Sequence, residues 1–196
     1  MIAPLGLEHV DQVARLHCAA LTGLLSELGE PAARAFYSGC VGTGAAAGFV
    51  DLEQDRVRGF VLGAVHPVNV RRAVFLNGPA GTITAVLRGV LRHPAALKWL
   101  FKSFKGPDEG RYESGEPELT YLAVSSACRE SGIGGSLVDS FTRAMRESGV
   151  TAYELSVDDE NERAAAFYER RGFKPIGCYR EFGTLHRRYR LQFDPR

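Results

Sequence analysis

Two spacings of apolar residues alternate along the chain, and they divide it into helices and strands. After a short apolar run near Ile2–Leu5 that reads as a strand, Val10, Val13, Ala14, Leu16 and His17 recur at helical spacing. They predict a helix from about Glu8 to Leu24. "LGEPAARAFYSGC" predicts a second, with Pro31 in its first turn and Gly39 near its end. The small residues of "GTGAAAG" (42–48) then read as a turn entering a strand. From 48 to 65 the period shortens: "GFVDLEQDRVRGFVLGAV" is an apolar run, a charged turn at Glu53–Arg56 and a second apolar run, which predicts a hairpin.

Residues 66–116 return to helical spacing. Ile83, Val86, Leu87, Val90 and Leu91 share one face, Pro94 interrupts, and Leu97, Leu100, Phe101 and Phe104 resume it. A linker rich in glycine, proline and glutamate, "GPDEGRYESGEPE", follows. Beyond it come a strand "ELTYLAV" (118–124) and a helix over Gly132–Glu147, with Leu137, Val138, Phe141 and Met145 facing inward. Next are a strand "TAYELSV" (151–157) and a short helix "NERAAAFYERRG" (161–172) closed by Gly172. Two strands near 174–181 and 184–193 end the sequence. Strand, helix, strand, helix and terminal hairpin imply an α/β fold: a mixed sheet with helices on both faces.

Composition narrows the class without naming a function. At 196 residues the chain suits a single domain, one that buries roughly 70% of its unfolded surface. A net charge of +1 supplies no global field to recruit nucleic acid or an anionic membrane. Cys18, Cys40, Cys128 and Cys178 are widely spaced and form no CxxC pair, so neither a metal site nor a disulfide framework is expected. The start "MIAPLGLEHVDQ" lacks the basic and apolar parts of a signal peptide. No run approaches the ~20 apolar residues of a membrane span. The expectation is a cytoplasmic protein with reduced thiols.

The chemistry concentrates at "VSSACRESGIGGSLVDSF" (124–141), where Gly132, Gly134 and Gly135 crowd the start of a helix. Glycine disfavours helices by roughly 1 kcal/mol against alanine, so their clustering needs a reason. One reading is a tight strand-to-helix turn. The other is a phosphate cradle: the first helical amides are unpaired, the helix dipole is positive there, and glycine lets a phosphate approach the backbone. Arg129 adds a full positive charge. The loop lacks the lysine of a Walker motif and the glycine spacing of a Rossmann fingerprint.

A second motif lies downstream. "NERAAAFYERRGF" places Asn161, Phe167–Tyr168 and Gly172–Phe173 on and after a helix that follows the next strand. Together with "YLAVSSACRESGIGGSLV" it resembles the GNAT superfamily of acyl-CoA-dependent N-acetyltransferases. The first stretch is similar to the family's motif A, with its Arg/Gln-x-x-Gly-x-Gly/Ala loop, and the second to motif B. The resemblance covers about 116–182, and the element order of 1–65 agrees with it.

That resemblance implies a GNAT-like domain over 1–196, with a mostly antiparallel sheet splayed at two central parallel strands and 66–116 as a helical insertion. Acetyl-CoA would lie in the splayed cleft as cosubstrate, with no metal. The pyrophosphate would meet the amides of Glu130, Ser131, Gly132, Ile133, Gly134, Gly135 and Ser136 beside Arg129. The pantetheine arm would run along Leu122, Ala123 and Val124, whose amides would polarise the thioester carbonyl. Asn161 would bond the pantetheine or cap its helix. Tyr168 matches the family's thiolate-side acid, and Glu118 a position where several members carry a general base. His66 and His186 are weaker candidates for the base, and Cys128 reads as a small buried thiol.

Three residues depart from the family pattern: Glu130 where glycine is common, Ser131 where a basic residue is frequent, and Ser126 for a proline. The implied reaction is acetyl transfer to a primary amine by direct attack, on a small acceptor such as an amino sugar or another amine metabolite. A protein N-terminal or lysine acetyltransferase is one alternative, and a non-catalytic acyl-CoA-binding regulatory module is another. Arg88 and Arg92 share one face of the insertion and Lys98, Lys102 and Lys105 another. They suit an anionic acceptor, a solvated surface or the contact of a homodimer.

Overall fold

The computed structural model describes residues 1–43, 46–66, 116–181 and 183–193. The expected helical insertion, with its arginine and lysine faces, therefore lies almost wholly outside the described residues. Strand β1 (Ile2–Pro4) leads through a 3-10 turn at Leu7–His9 into helix α1 (Val10–Ala20). Helix α1 is shorter than its apolar period suggests: Leu21 turns extended and Gly23 takes φ +125°, so the chain breaks and restarts as the four-residue α2 (Leu24–Glu27). Helix α3 (Glu30–Thr43) runs past Gly39.

Strands β2 (Ala47–Glu53) and β3 (Arg56–Ala64) form the expected hairpin. Its two-residue turn, Gln54–Asp55, has φ of 48° and 62°, the left-handed pair that matches strand twist. Strand β4 (Glu118–Val124), helix α4 (Ile133–Glu147), strand β5 (Ala152–Asp158), helix α5 (Glu162–Glu169) and strands β6 (Lys174–Glu181) and β7 (Thr184–Gln192) complete the described chain. The seven strands form one sheet in the order β1-β2-β3-β4-β5-β7-β6. Every neighbouring pair is antiparallel except β4–β5.

Alternation along the strands feeds two cores. On one face α1 and α3 pack Val10, Val13, Ala14, Tyr37 and Cys40 against Val50, Phe60 and Leu62. On the other, the inward stripe of α4 (Ile133, Leu137, Val138, Phe141, Met145) meets Tyr153, Leu155 and Val157 of β5 and Ala165 and Tyr168 of α5. The four inward residues expected on α4 are thus all buried, joined by Ile133. Among the described residues no helix is long and apolar enough to cross a membrane.

Candidate active site

The site begins where the sheet fails to zip. Between β4 and β5 a single register pair, Glu118 with Glu154, is formed. Beside it the Glu154 amide donates to the Pro117 carbonyl at 2.8 Å. Each strand keeps its other neighbour: β5 stays in register with β7 from Ala152 to Asp158, and β4 with β3 as far as Val124. The parallel strands therefore diverge towards their carboxyl ends, and Leu122, Ala123 and Val124 line one wall of a V-shaped opening. A bulge in β4 sharpens the departure. Leu62 pairs with Tyr121 and Gly63 with Leu119, so Thr120 is an extra residue with no register partner on β3.

Both chains leaving these carboxyl ends enter helices, and those helix starts face each other. After β4, a 3-10 turn at Ser126–Cys128 is held by the Cys128 amide on the Ser125 carbonyl at 2.9 Å. The Ser131 hydroxyl adds a bond to the Cys128 carbonyl at 2.5 Å. Gly132 then turns left-handed at φ +80° and caps α4 without a side-chain acceptor. The first intrahelical bond there is the Ser136 amide on the Gly132 carbonyl, at 3.1 Å. The amides of Ile133, Gly134 and Gly135 lie ahead of any helical acceptor, which is the donor array an anion needs.

The three glycines do different things. At Gly132 the backbone angle is the requirement. A Cβ on Gly134 would lie 3.7 Å from both Val124 and the Phe167 ring, so its absence keeps the gap between β4 and α5 clear. Gly135 instead makes room for a side chain: a Cβ there would fall on the guanidinium of Arg171. That guanidinium sits 5.3 Å from the Phe167 ring centroid and pairs with Asp139 at 3.2 Å. The bareness of Gly135 thus has a structural cause apart from any ligand.

Across the opening, Asn161 is the N-cap of α5, its Oδ1 accepting from the Ala164 amide at 3.1 Å. The capping role is realised, and the Asn161 NH2 group is left as a donor. The start of α5 is moored to the sheet by Arg187, which pairs with Asp159 at 2.7 Å and Glu162 at 2.5 Å. Nearly two turns further on, Tyr168 packs edge-on to Phe167 and Phe173 at centroid distances of 5.0 and 5.3 Å. Burial raises its pKa above the ordinary phenol range, so it holds its proton through neutral pH.

Glu118 stands apart from this array, at the closed end of the V. Six strand steps, about 20 Å, separate it from Val124. Its register partner Glu154 points away from the core that Tyr153 and Leu155 join, and register partners on parallel strands share a face. Glu154 is only 3% exposed. Arg188 pairs with it closely, and Arg190 lies 3.5 Å from it and 3.7 Å from Glu116. Neither Glu154 nor its arginines were singled out from the sequence, although the alternate residues His186, Arg188 and Arg190 mark a polar face on the last strand.

Among the weaker candidates, His66 is exposed, whereas His186 stacks on Tyr179 at 5.3 Å. Cys128 is half-buried against the α4 core rather than fully buried, and none of the four cysteines is in a disulfide. Among the described residues no group of three or more His, Cys, Asp or Glu side chains is placed to hold a metal ion. Glu130, flagged as a departure, adopts φ +69°, the left-handed angle that explains why glycine suits this position. Its carboxylate reaches Arg163 of α5 at 3.2 Å.

Comparison with known proteins places these features in a wider group. The profile of the acetyltransferase (GNAT) family matches residues 10–173. A mycothiol acetyltransferase of Beutenbergia cavernae is 36% identical over 66 residues, covering 34% of this chain and 22% of that protein. The chain thus spans about a fifth of that relative's length. An N-acetyltransferase from Staphylococcus aureus Mu50 superposes with a TM-score of 0.67 at 17% identity, over 97% of this chain and all of that one. The ribosomal-protein-S18-alanine N-acetyltransferase from Escherichia coli gives 0.59 at 15% identity, over 98% and 93% of the two chains. At these identities the structures share the fold, and only the second is named for its acceptor.

Proposed function

The chain belongs to the GNAT acetyltransferase family, and from that premise we propose that it moves an acetyl group from acetyl-CoA to a primary amine of a small molecule. One observation carries the reading: β4 and β5 part after a single register pair, and each strand leads at its carboxyl end into a helix start, the open amides of α4 on one side and α5, which carries Tyr168, on the other. The donor brings an activated thioester at one end and phosphates at the other, and the residues suit each end. The amides from Glu130 to Ser136, with Arg129 beside them, would receive the phosphates. The Asn161 NH2 group would bond the pantetheine amides.

At the reacting end, the amides along Leu122–Val124 would hold the carbonyl oxygen as it gains charge. Glu118, set back at the closed end of the V, would take the proton that makes the acceptor amine neutral through intervening water. The amine nitrogen then attacks the thioester carbon and the C–S bond breaks. Tyr168 would give its proton to the departing sulfur, and the proton shed by the new amide nitrogen would restore it. No enzyme-bound acyl group is needed, and Cys128 has no role in the scheme. A small acceptor is favoured over a peptide because the sequence relatives are named for mycothiol rather than for a protein.

Calorimetry with acetyl-CoA, followed by CoA release against amino sugars, polyamines and peptides, tests the proposal. Binding below about 1 mM is expected, with turnover on a small amine. Tyr168→Phe should lower kcat on the order of 100-fold while leaving KM within a few-fold. Failure to bind acetyl-CoA overturns the donor assignment, and turnover on peptides alone overturns the acceptor class.

A further inference from the structure

Glu130 is an acidic residue in a loop otherwise built to attract anions, and it sits in a backbone region that favours glycine, at φ +69°. Its carboxylate reaches across to the first turn of α5, where Arg163 meets it at 3.2 Å. The two helices leave the two walls of the open V, so this ion pair ties one wall to the other beside the free amides of α4. The charges about the loop are Arg129, Glu130, Arg163 and, against Gly135, Arg171 with its partner Asp139; the nearby Glu162 is already engaged by Arg187. Arg163 is thus a cation within one side chain's length of the phosphate-accepting backbone, neutralised by a carboxylate from the chain itself.

We propose that Glu130 is an internal competitor for the donor's phosphates: it occupies Arg163 in the free protein and sets how tightly acyl-CoA binds. The inference rests on the donor reading given above. On binding, the diphosphate brings more negative charge to the loop than one carboxylate does. Arg163 then exchanges Glu130 for phosphate, and Glu130 turns to solvent. Both side chains are largely exposed, at 82% for Glu130 and 65% for Arg163, so the exchange is unhindered and its effect is modest.

The test is calorimetric binding of CoA and of pantetheine, which lacks the phosphates, to the full chain and to Glu130→Gln, Arg163→Gln and the double variant. Glu130→Gln should tighten CoA binding about 3- to 10-fold, with the gain shrinking as salt is raised. Pantetheine affinity should not change. Arg163→Gln should weaken CoA binding by a similar factor and abolish the gain from Glu130→Gln in the double variant. CoA binding left within twofold by Glu130→Gln overturns the inference alone. A gain that persists without Arg163 also overturns it, since simple repulsion by the carboxylate then accounts for the effect. A wild-type protein that does not bind CoA overturns this inference and the donor reading together.

Discussion

The helix layers on the two sides of the sheet use polar groups in opposite ways. Under α1 and α3, His17 is 1% exposed, its Nδ1 is 2.7 Å from the Tyr37 hydroxyl, and its ring stacks edge-on to Tyr121 at 4.8 Å. The His17 Nδ1 and the Tyr37 hydroxyl answer each other inside the core. Under α4 and α5 a second apolar core is buried, yet the start of α4 has no side-chain cap, and the sheet beneath it is left unzipped. The contrast separates what stabilises the fold from what stays available to a ligand. Unanswered amides are tolerable only at a surface, and here they lie beside an opening in the sheet.

The largest effect expected is on the cluster that closes the V. Glu154→Gln would remove the buried carboxylate that Arg188 and Arg190 share, and should cost about 3–5 kcal/mol in urea unfolding. Asp11→Asn, which breaks the exposed pair with Arg34 at 3.1 Å, should cost under about 1 kcal/mol. Equal losses would mean that Glu154 is not held as its burial implies.

The other layer predicts an acid limit. Burial pushes the His17 pKa from its ordinary 6.5 down to about 4. A depressed folded pKa means that the unfolded chain binds the proton first. The contribution is therefore whole above pH 6.5 and is lost as pH falls through 4, on the order of 3 kcal/mol in all. His17→Gln should flatten the fall in stability between pH 7 and pH 4, as read by denaturant titration at each pH. An unchanged slope would place the acid sensitivity elsewhere.

How far these layers could be read in the sequence depended on the range of the contacts involved. The two motifs were legible because each is local: "CRESGIGG" carries its own turn, and "NERAAAFYERRGF" its own cap, aromatic pair and stop. The stripe of α4 was equally plain. The end of α1 was not, because its apolar period continues to Leu24 while Gly23 at φ +125° breaks the helix. Glu154 with Arg188 and Arg190 stayed hidden because their meeting depends on the register of β5 against β7, which periodicity does not determine. A second role for Gly135 stayed hidden for a related reason: the guanidinium that uses its space arrives from Arg171, beyond the next strand and helix. Glu130 was recognised as out of place, but its partner Arg163 was not.

The smallest effect separates strain from charge at Glu130. Left-handed backbone costs a non-glycine residue roughly 1 kcal/mol, and glycine returns part of that gain as added freedom in the unfolded chain. Glu130→Gly should therefore raise stability by about half a kcal/mol, whereas Glu130→Gln, which keeps the Cβ, should leave it unchanged within that margin. The hairpin turn on the opposite layer supplies the control. Asp55 is also left-handed, at φ 62°, in a two-residue turn that favours glycine at its second position. Asp55→Gly should give a gain of the same size without touching CoA affinity. If Glu130→Gly and Glu130→Gln prove equally stabilising, the cost at this position is electrostatic rather than conformational. The loop would then differ from the hairpin in its charge, not in its backbone.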